Sequence, residues 1–218
     1  MIELPLFPLN TVLFPATPIH LHIFEERYKQ MIGLCIQNHQ PFGVLLIRAG
    51  VEAQGPLAEP VQVGCSARIV HVQRLEEGRM NIIAVGVERF RVLSLDKSAH
   101  SYLTGQVEEY PLPDPYPEVS AEQAGRLRPK VERLLRILVE MGGGEFDLQP
   151  LPGDPVTLAY MGAALLQISP VYKQALLTSG RADEMLTALL DLYRREMTLL
   201  EATRSIGDEG RIGAFSRN

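Results

Sequence analysis

Residues 4–28 read LPLFPLNTVLFPATPIHLHIFEERY, with prolines at positions 5, 8, 15 and 18. A proline offers a sheet no N–H, so this apolar stretch cannot run as one central strand. It must fold as short extended pieces joined by bends, laying Leu6, Phe7, Leu9, Val12, Leu13 and Phe14 along the rim of a β-structure. The pattern then changes. Phe24, Tyr28, Met31, Ile32, Cys35 and Ile36 recur at helical spacing, with Glu25 and Glu26 at the end where the helix dipole favours acids. The opening therefore predicts a broken β edge leading into one amphipathic helix over residues 24–38.

Further along, Phe42–Ile47 (FGVLLI) is a continuous apolar run of the kind buried on both faces, and residues 49–60 form a Gly/Pro-containing loop. Val61, Val63, Cys65 and Ala67 alternate, and the phase then shifts to Val70 and Val72, which predicts a bulge. A turn at Glu76–Arg79 joins this run to a second, Met80–Leu95, interrupted at Gly86, and together they predict a long hairpin. Residues 101–110 add a further strand. One helix with five or six mostly antiparallel strands predicts a small barrel over residues 1–110.

Prolines at 111, 113, 115 and 117 make residues 111–118 an extended connector and a domain boundary. Beyond it, Ser120-Ala-Glu-Gln123 has the form of a capping box. Leu127, Val131, Leu134, Leu135, Leu138 and Met141 follow at helical steps, with Pro129 placed to kink or divide the helix before Gly142–Gly144 end it. Asp154-Pro155 and Ser169-Pro170 each set a capping residue before a proline and open helices over 155–167 and 170–179. Asp183 opens a last long helix with Met185, Leu186, Leu189, Leu190, Tyr193, Met197 and Leu200 on one face. Residues 119–205 thus predict a helical bundle, and the glycine-containing 206–218 a loose tail. The fold class expected is α+β, a barrel with one covering helix followed by helices.

The formal net charge is −5, against any function that neutralises many phosphates, so nucleic acid and anionic membrane are poor partners. Two cysteines, Cys35 and Cys65, make no disulfide framework and read as small core residues in a reducing compartment. No run of about 18 apolar residues and no export signal is visible, which predicts a cytoplasmic protein.

The opening stretch, FGVLLI, and VGCSARIVHVQRLEEGRMNIIAVGVERFRV together resemble the N-terminal substrate-recognition domain of Lon proteases, in particular its small stand-alone bacterial relatives. Ser169-Pro170 followed by Lys173-Gln174-x-Leu176-Leu177 and the long closing helix extend the resemblance to about residues 2–204. Two positions depart from the family pattern. Glu26 stands where proline is common within F-E-x-R-Y, and Glu77 where Asp often precedes Gly78. The resemblance implies a PUA-like barrel, a helical bundle and recognition of polypeptide. It also implies a chain that stops where an ATPase would begin. No G-x-x-x-x-G-K-[ST] loop occurs, and none of the four lysines, Lys29, Lys97, Lys130 and Lys173, sits in a Lon-type Ser-Lys setting. The expectation is therefore a non-enzymatic module that needs no cofactor. Its partners would be unfolded or exposed polypeptide segments, with a protease in trans as a further candidate. The alternative is RNA binding, because PUA-like barrels elsewhere contact RNA. It calls for a basic stripe with stacking aromatics, which this acidic, Trp-free chain lacks.

The candidate peptide-binding residues are Phe7, Leu13, Phe14 and Phe42, which could line a groove or sheet edge, and Glu25, Arg27 and Tyr28 at the helix start. Core packing accounts for the aromatics equally well. For Glu25 the competing role is dipole compensation, and for Arg27 it is pairing with a neighbouring strand. Glu88, Arg89 and Arg91 read as alternating charges on a solvated strand face. Met185, Tyr193 and Met197 offer either a second partner surface or the bundle core. His20 with His22, and Cys35 with His39, have spacings a metal could use, but nothing in sequence brings the pairs together, and no metal is expected.

Overall fold

The computed structural model describes residues 2–52, 55–142 and 151–213, the side chains of 141–142 and 201–213 excepted. It is a mixed α+β fold. In chain order the elements are β1 (Ile2–Leu9), β2 (Pro18–Ile23), α1 (Glu26–Asn38), β3 (Phe42–Ala49), β4 (Glu59–Pro60), β5 (Val63–Arg74), β6 (Met80–Asp96) and β7 (Leu103–Glu109), then α2 (Pro117–Gly142), α3 (Pro155–Leu165), α4 (Pro170–Leu177) and α5 (Ala182–Gly213).

Pro5 and Pro8 both lie inside β1, and the pairing shows how. β1 runs antiparallel to β7 from Ile2 to Leu6 and parallel to β3 from Leu6 to Leu9. The two partners overlap only at Leu6, so each proline sits where β1 has a neighbour on one side, the edge condition under which a strand tolerates it. Helix α1 lies between β1 and β3 in the chain and supplies the crossover that a parallel pair needs. The parallel step brings the path β1-β7-β6-β5-β3 back on itself. The result is a mixed sheet with one parallel pair and register breaks in the β3–β4, β5–β6 and β6–β7 pairs, in place of the clean, mostly antiparallel barrel expected.

Two register shifts in β5 against β6, at Cys65/Ala67 and Ile69/His71, break the phase as expected, but Ile69 and Val72 pack against the core while Val70, at the second shift, is exposed. The hairpin turns at Glu76–Gly78, with Glu77 and Gly78 in the left-handed region. At Gly86 the bend after Phe14 crosses β6. Ala16 N–H donates to Gly86 O at 2.8 Å and Gly86 N–H to Thr17 O at 3.0 Å, and any Cβ on Gly86 would strike the Phe14 carbonyl. Helix α1 starts at Glu26, later than expected, so Phe24 lies outside it and is 43% exposed. Tyr28, Met31, Ile32 and Cys35 form its buried face.

Helix α2 begins at Pro117, one turn before the predicted cap. Pro117 is preset for helical φ and its missing N–H would be unpaired there anyway, so the turn forms ahead of Ser120. Ser120 is instead buried within the helix, its Oγ–H donating to Asp114 Oδ1 at 2.7 Å. Pro129 does not divide α2, and Leu127, Val131, Leu134 and Ile137 hold that helix in a core shared with α3, α4 and α5. Asp154 caps α3 by accepting from Thr157 N–H at 2.7 Å, whereas Ser169 occupies the cap of α4 without a side-chain bond. α5 runs on to Gly213 through residues expected to be loose, and 214–218 lie outside the described residues, as do Gly143 and Gly144. Met185, Tyr193 and Met197 face this core, with Tyr193 O–H donating to Gly162 O at 2.9 Å.

The largest correction concerns Arg89. Far from a solvated strand face, it is 2% exposed and joins β6 to the helical half. Nε donates to Tyr110 O (3.0 Å), Nη2 to Pro111 O (2.9 Å), and Nη1 to both Leu177 O (2.6 Å) and Ser179 O (3.0 Å). The guanidinium also lies 4.6 Å from the Tyr110 ring centroid. Gln174 Nε2 donating to Val63 O at 3.0 Å, and Phe14 beside Tyr160 at 6.2 Å between centroids, extend the same junction.

Candidate functional site

Strand β2 is paired with β6 in unbroken register from Pro18–Val85 to Ile23–Met80. Among the described residues no backbone hydrogen bond reaches its other edge. Alternation sets Ile19, Leu21 and Ile23 against the core, while His20 and His22 are exposed on the opposite face. There His22 Nδ1 lies 2.7 Å from Asn81 Oδ1, and Asn81 Nδ2 donates to Gln73 Oε1 at 3.0 Å, a polar ladder across three strands.

A cleft of about 260 Å³ lies where β1, β2 and the start of α1 meet, and its lining includes Phe7, Leu21, Phe24, Glu25, Tyr28 and Glu52, with His20 and His22 at its β2 margin. Its floor is the stacked pair Phe7–Tyr28, with centroids 4.1 Å apart and planes at 25°. Burial pushes the Tyr28 phenol above its ordinary range; Arg27 opposes the shift, while Glu25 and Glu52 add to it. Arg27 pairs with Glu25 at 2.9 Å, donates from Nη1 to Gly55 O at 3.1 Å, and lies 4.8 Å from the Tyr28 centroid. Its expected partner was a neighbouring strand; it holds the residue before its own helix and a loop carbonyl instead. Glu52 Oε2 accepts the Asn10 N–H at 2.8 Å and has no cation against it among the described residues. The cleft thus combines an aromatic floor with a negative rim, a setting for an apolar or cationic side chain.

The structure brings together Phe7, Glu25, Arg27 and Tyr28 of the residues singled out in the sequence, with His20 and His22 beside them on β2. Phe42 lies behind Phe7 at 6.3 Å between centroids and is fully buried. Leu13 packs in that same core, while Phe14 belongs to the core of the helical half. Leu21, Phe24 and Glu52 were missed. Phe24 fits helical spacing yet precedes the helix, and Glu52 sits in a loop with no pattern of its own. Cys35 and Cys65 are buried free thiols. No group of three His, Cys, Asp or Glu among the described residues stands close enough to hold a metal ion, and no described helix is long and apolar enough to cross a membrane.

Residues 3–195 match the family model of the ATP-dependent protease La (LON) substrate-binding domain. The Lon protease of Paraburkholderia phytofirmans is 28% identical over 215 residues, covering 95% of this chain and 26% of the relative. Lon protease 2 of Myxococcus xanthus is 25% identical over 205 residues, 93% of this chain and 25% of that protein. This chain therefore spans about a quarter of the length of these relatives. Among solved structures, a Lon N-terminal domain protein from Xanthomonas campestris superposes with a TM-score of 0.64 at 26% identity, over 88% of this chain and 98% of the other. The N-terminal domain of a Mycobacterium avium complex Lon protease shares the fold, with a TM-score of 0.63 at 17% identity, over the same 88% and 98%.

Proposed function

Because this chain belongs to the Lon substrate-binding domain family, we propose that it is a non-catalytic module that binds exposed segments of polypeptide, in the cytoplasm. The observation that carries the proposal is the family match over nearly the whole chain. The cleft beside β2, with its aromatic floor and free strand edge, supports it. The reading divides the chain into a PUA-like barrel over 1–110, a connector over 111–118 and a helical bundle over 119–205. It assigns client binding to the first of these, with Phe7, Glu25, Arg27 and Tyr28 at the site. A protease acting in trans is the partner to which a bound client would pass. The net charge of −5 argues for polypeptide over RNA.

Isothermal titration with a chemically unfolded model protein, such as reduced and carboxymethylated lactalbumin, tests the proposal. Saturable binding at micromolar concentration is expected, and its absence up to several hundred micromolar would refute the reading.

A further inference from the structure

We propose that the client is captured as an added β-strand on the open edge of β2, and that the preferred segment has apolar side chains at alternate positions with a Lys or Arg among them. This inference rests on the polypeptide-binding reading above and specifies its mode and chemistry. Folded proteins usually blunt an exposed strand edge with a charge, a proline or a bulge. β2 has none of these between Ile19 and Ile23, and its six pairs to β6 run without a register break. Its one proline, Pro18, is the first residue, where it leaves the rest of the edge intact.

The blade β2-β6-β5 has a second border, the far side of Arg68–Arg74 in β5, where pairing to β3 has already ended at Ala67. That border is protected. A register shift at Ile69/His71 distorts it, Arg68 and Arg74 lie on it, and the end of α1 stands beside it, with His39 and Gln40 lining the intervening cavity. One border of the blade is thus distorted and charged, and the other is regular, with the cleft beside it.

Side-chain alternation then decides what fits. A strand laid along β2 turns every second side chain to the face of Leu21, over the Phe7–Tyr28 floor and past the half-exposed Phe24. Apolar groups suit those positions. The charge at the rim is negative. Arg27 already engages Glu25, leaving Glu52 to meet a cation on the incoming segment. Backbone bonds along β2 would supply affinity with little dependence on sequence, and the cleft the selection.

The test uses a fluorescein-labelled ten-residue peptide alternating valine with threonine and lysine, followed by fluorescence anisotropy, in three forms: unmodified, N-methylated at the valines, and N-methylated at the intervening residues. In strand addition successive N–H groups point to opposite sides, so one methylated form should lose at least tenfold in affinity and the other less than threefold. Glu52→Lys should weaken the unmodified peptide at least fivefold, and by more than Glu52→Gln, which keeps an acceptor for the Asn10 N–H, while circular dichroism stays unchanged. Equal effects of the two methylation patterns, or an unaffected Glu52→Lys variant, would overturn the inference. Binding of the unfolded model protein without binding of this peptide would also overturn it and leave the broader reading standing. Failure of the unfolded protein itself would remove that reading.

Discussion

Replacing Arg89 by methionine tests how the two halves are held together. The methionine keeps most of the apolar stem and deletes the guanidinium, so four donors are withdrawn from Tyr110 O, Pro111 O, Leu177 O and Ser179 O. Bonds from a charged donor contribute about 1.5–3 kcal/mol each, giving a gross loss of about 6–12 kcal/mol. Against this, the folded protein no longer dehydrates a guanidinium, a cost of several kcal/mol that here is not offset by any carboxylate. Burial already lowers the Arg89 pKa, which is the sign of that cost. The net expectation is a loss of about 2–5 kcal/mol, with the carbonyl of Leu177 left most completely stranded. Urea denaturation followed by circular dichroism measures it. Arg91→Met is the control, because Arg91 is half-exposed and meets Glu108 only at 3.5 Å. It should cost under about 1 kcal/mol. Arg89→Lys should recover only part of the loss, since one ammonium cannot reach carbonyls on opposite sides of a planar fork. A change below about 1 kcal/mol in Arg89→Met, or equality with Arg91→Met, would refute the assignment of Arg89 as the clasp of the junction.

Two further outcomes follow from burial and close approach. Cys35 and Cys65 are pushed by burial from 9.0 to about 11 and about 12, so above pH 9 the unfolded thiols ionise while the folded ones keep their protons. Stability should be flat with respect to these groups below pH 9 and fall from pH 9 to 11 by up to about 1.4 kcal/mol per pH unit for each thiol. A urea-midpoint series against pH checks this, and Cys65→Ala should show the shallower decline. Gly86→Ala should cost at least about 2 kcal/mol because its Cβ meets the fixed Phe14 carbonyl. Gly33→Ala, in open space within α1, should gain about 0.5–1 kcal/mol, so thermal midpoints moving in opposite directions are expected.

Periodicity made most elements legible: the β5–β6 hairpin, the presence of a bulge in β5, the face of α1 and the Asp154 cap are local patterns that a chain carries whatever its surroundings. The misses arise where a long-range partner decides. Proline in β1 argues against a central strand only if both neighbours cover the same residues, and the stagger of β7 and β3 about Leu6 cannot be read from residues 2–9. Ser120 has the right spacing for a cap, but Pro117 starts the helix first and Asp114 takes the hydroxyl.

Arg89 and Phe24 make the same point for function, in opposite directions. Arg89 sits between Glu88 and Phe90 in an alternating run, and alternation says only that it faces away from one core. It cannot say that α4 ends over that face and converts it into a second interior. Phe24 obeys helical spacing and so reads as buried, yet Glu25 takes the cap position and leaves the ring at the rim of the cleft. A charge expected in water thus became structural, and an aromatic expected in the core became available. The candidate site therefore owes its position to a helix boundary two residues later than the pattern suggested. Shifting that boundary back would withdraw Phe24 from the cleft without altering a single residue of β2. A variant such as Glu25→Pro, which presets a helix start one residue earlier than Glu26, should accordingly change peptide affinity more than stability, and by more than Glu25→Gln, which removes the charge beside Arg27 and leaves the boundary in place. Anisotropy and urea midpoints measured on the same preparation separate the two, and a loss of stability with unchanged affinity would show that the helix start does not set the cleft.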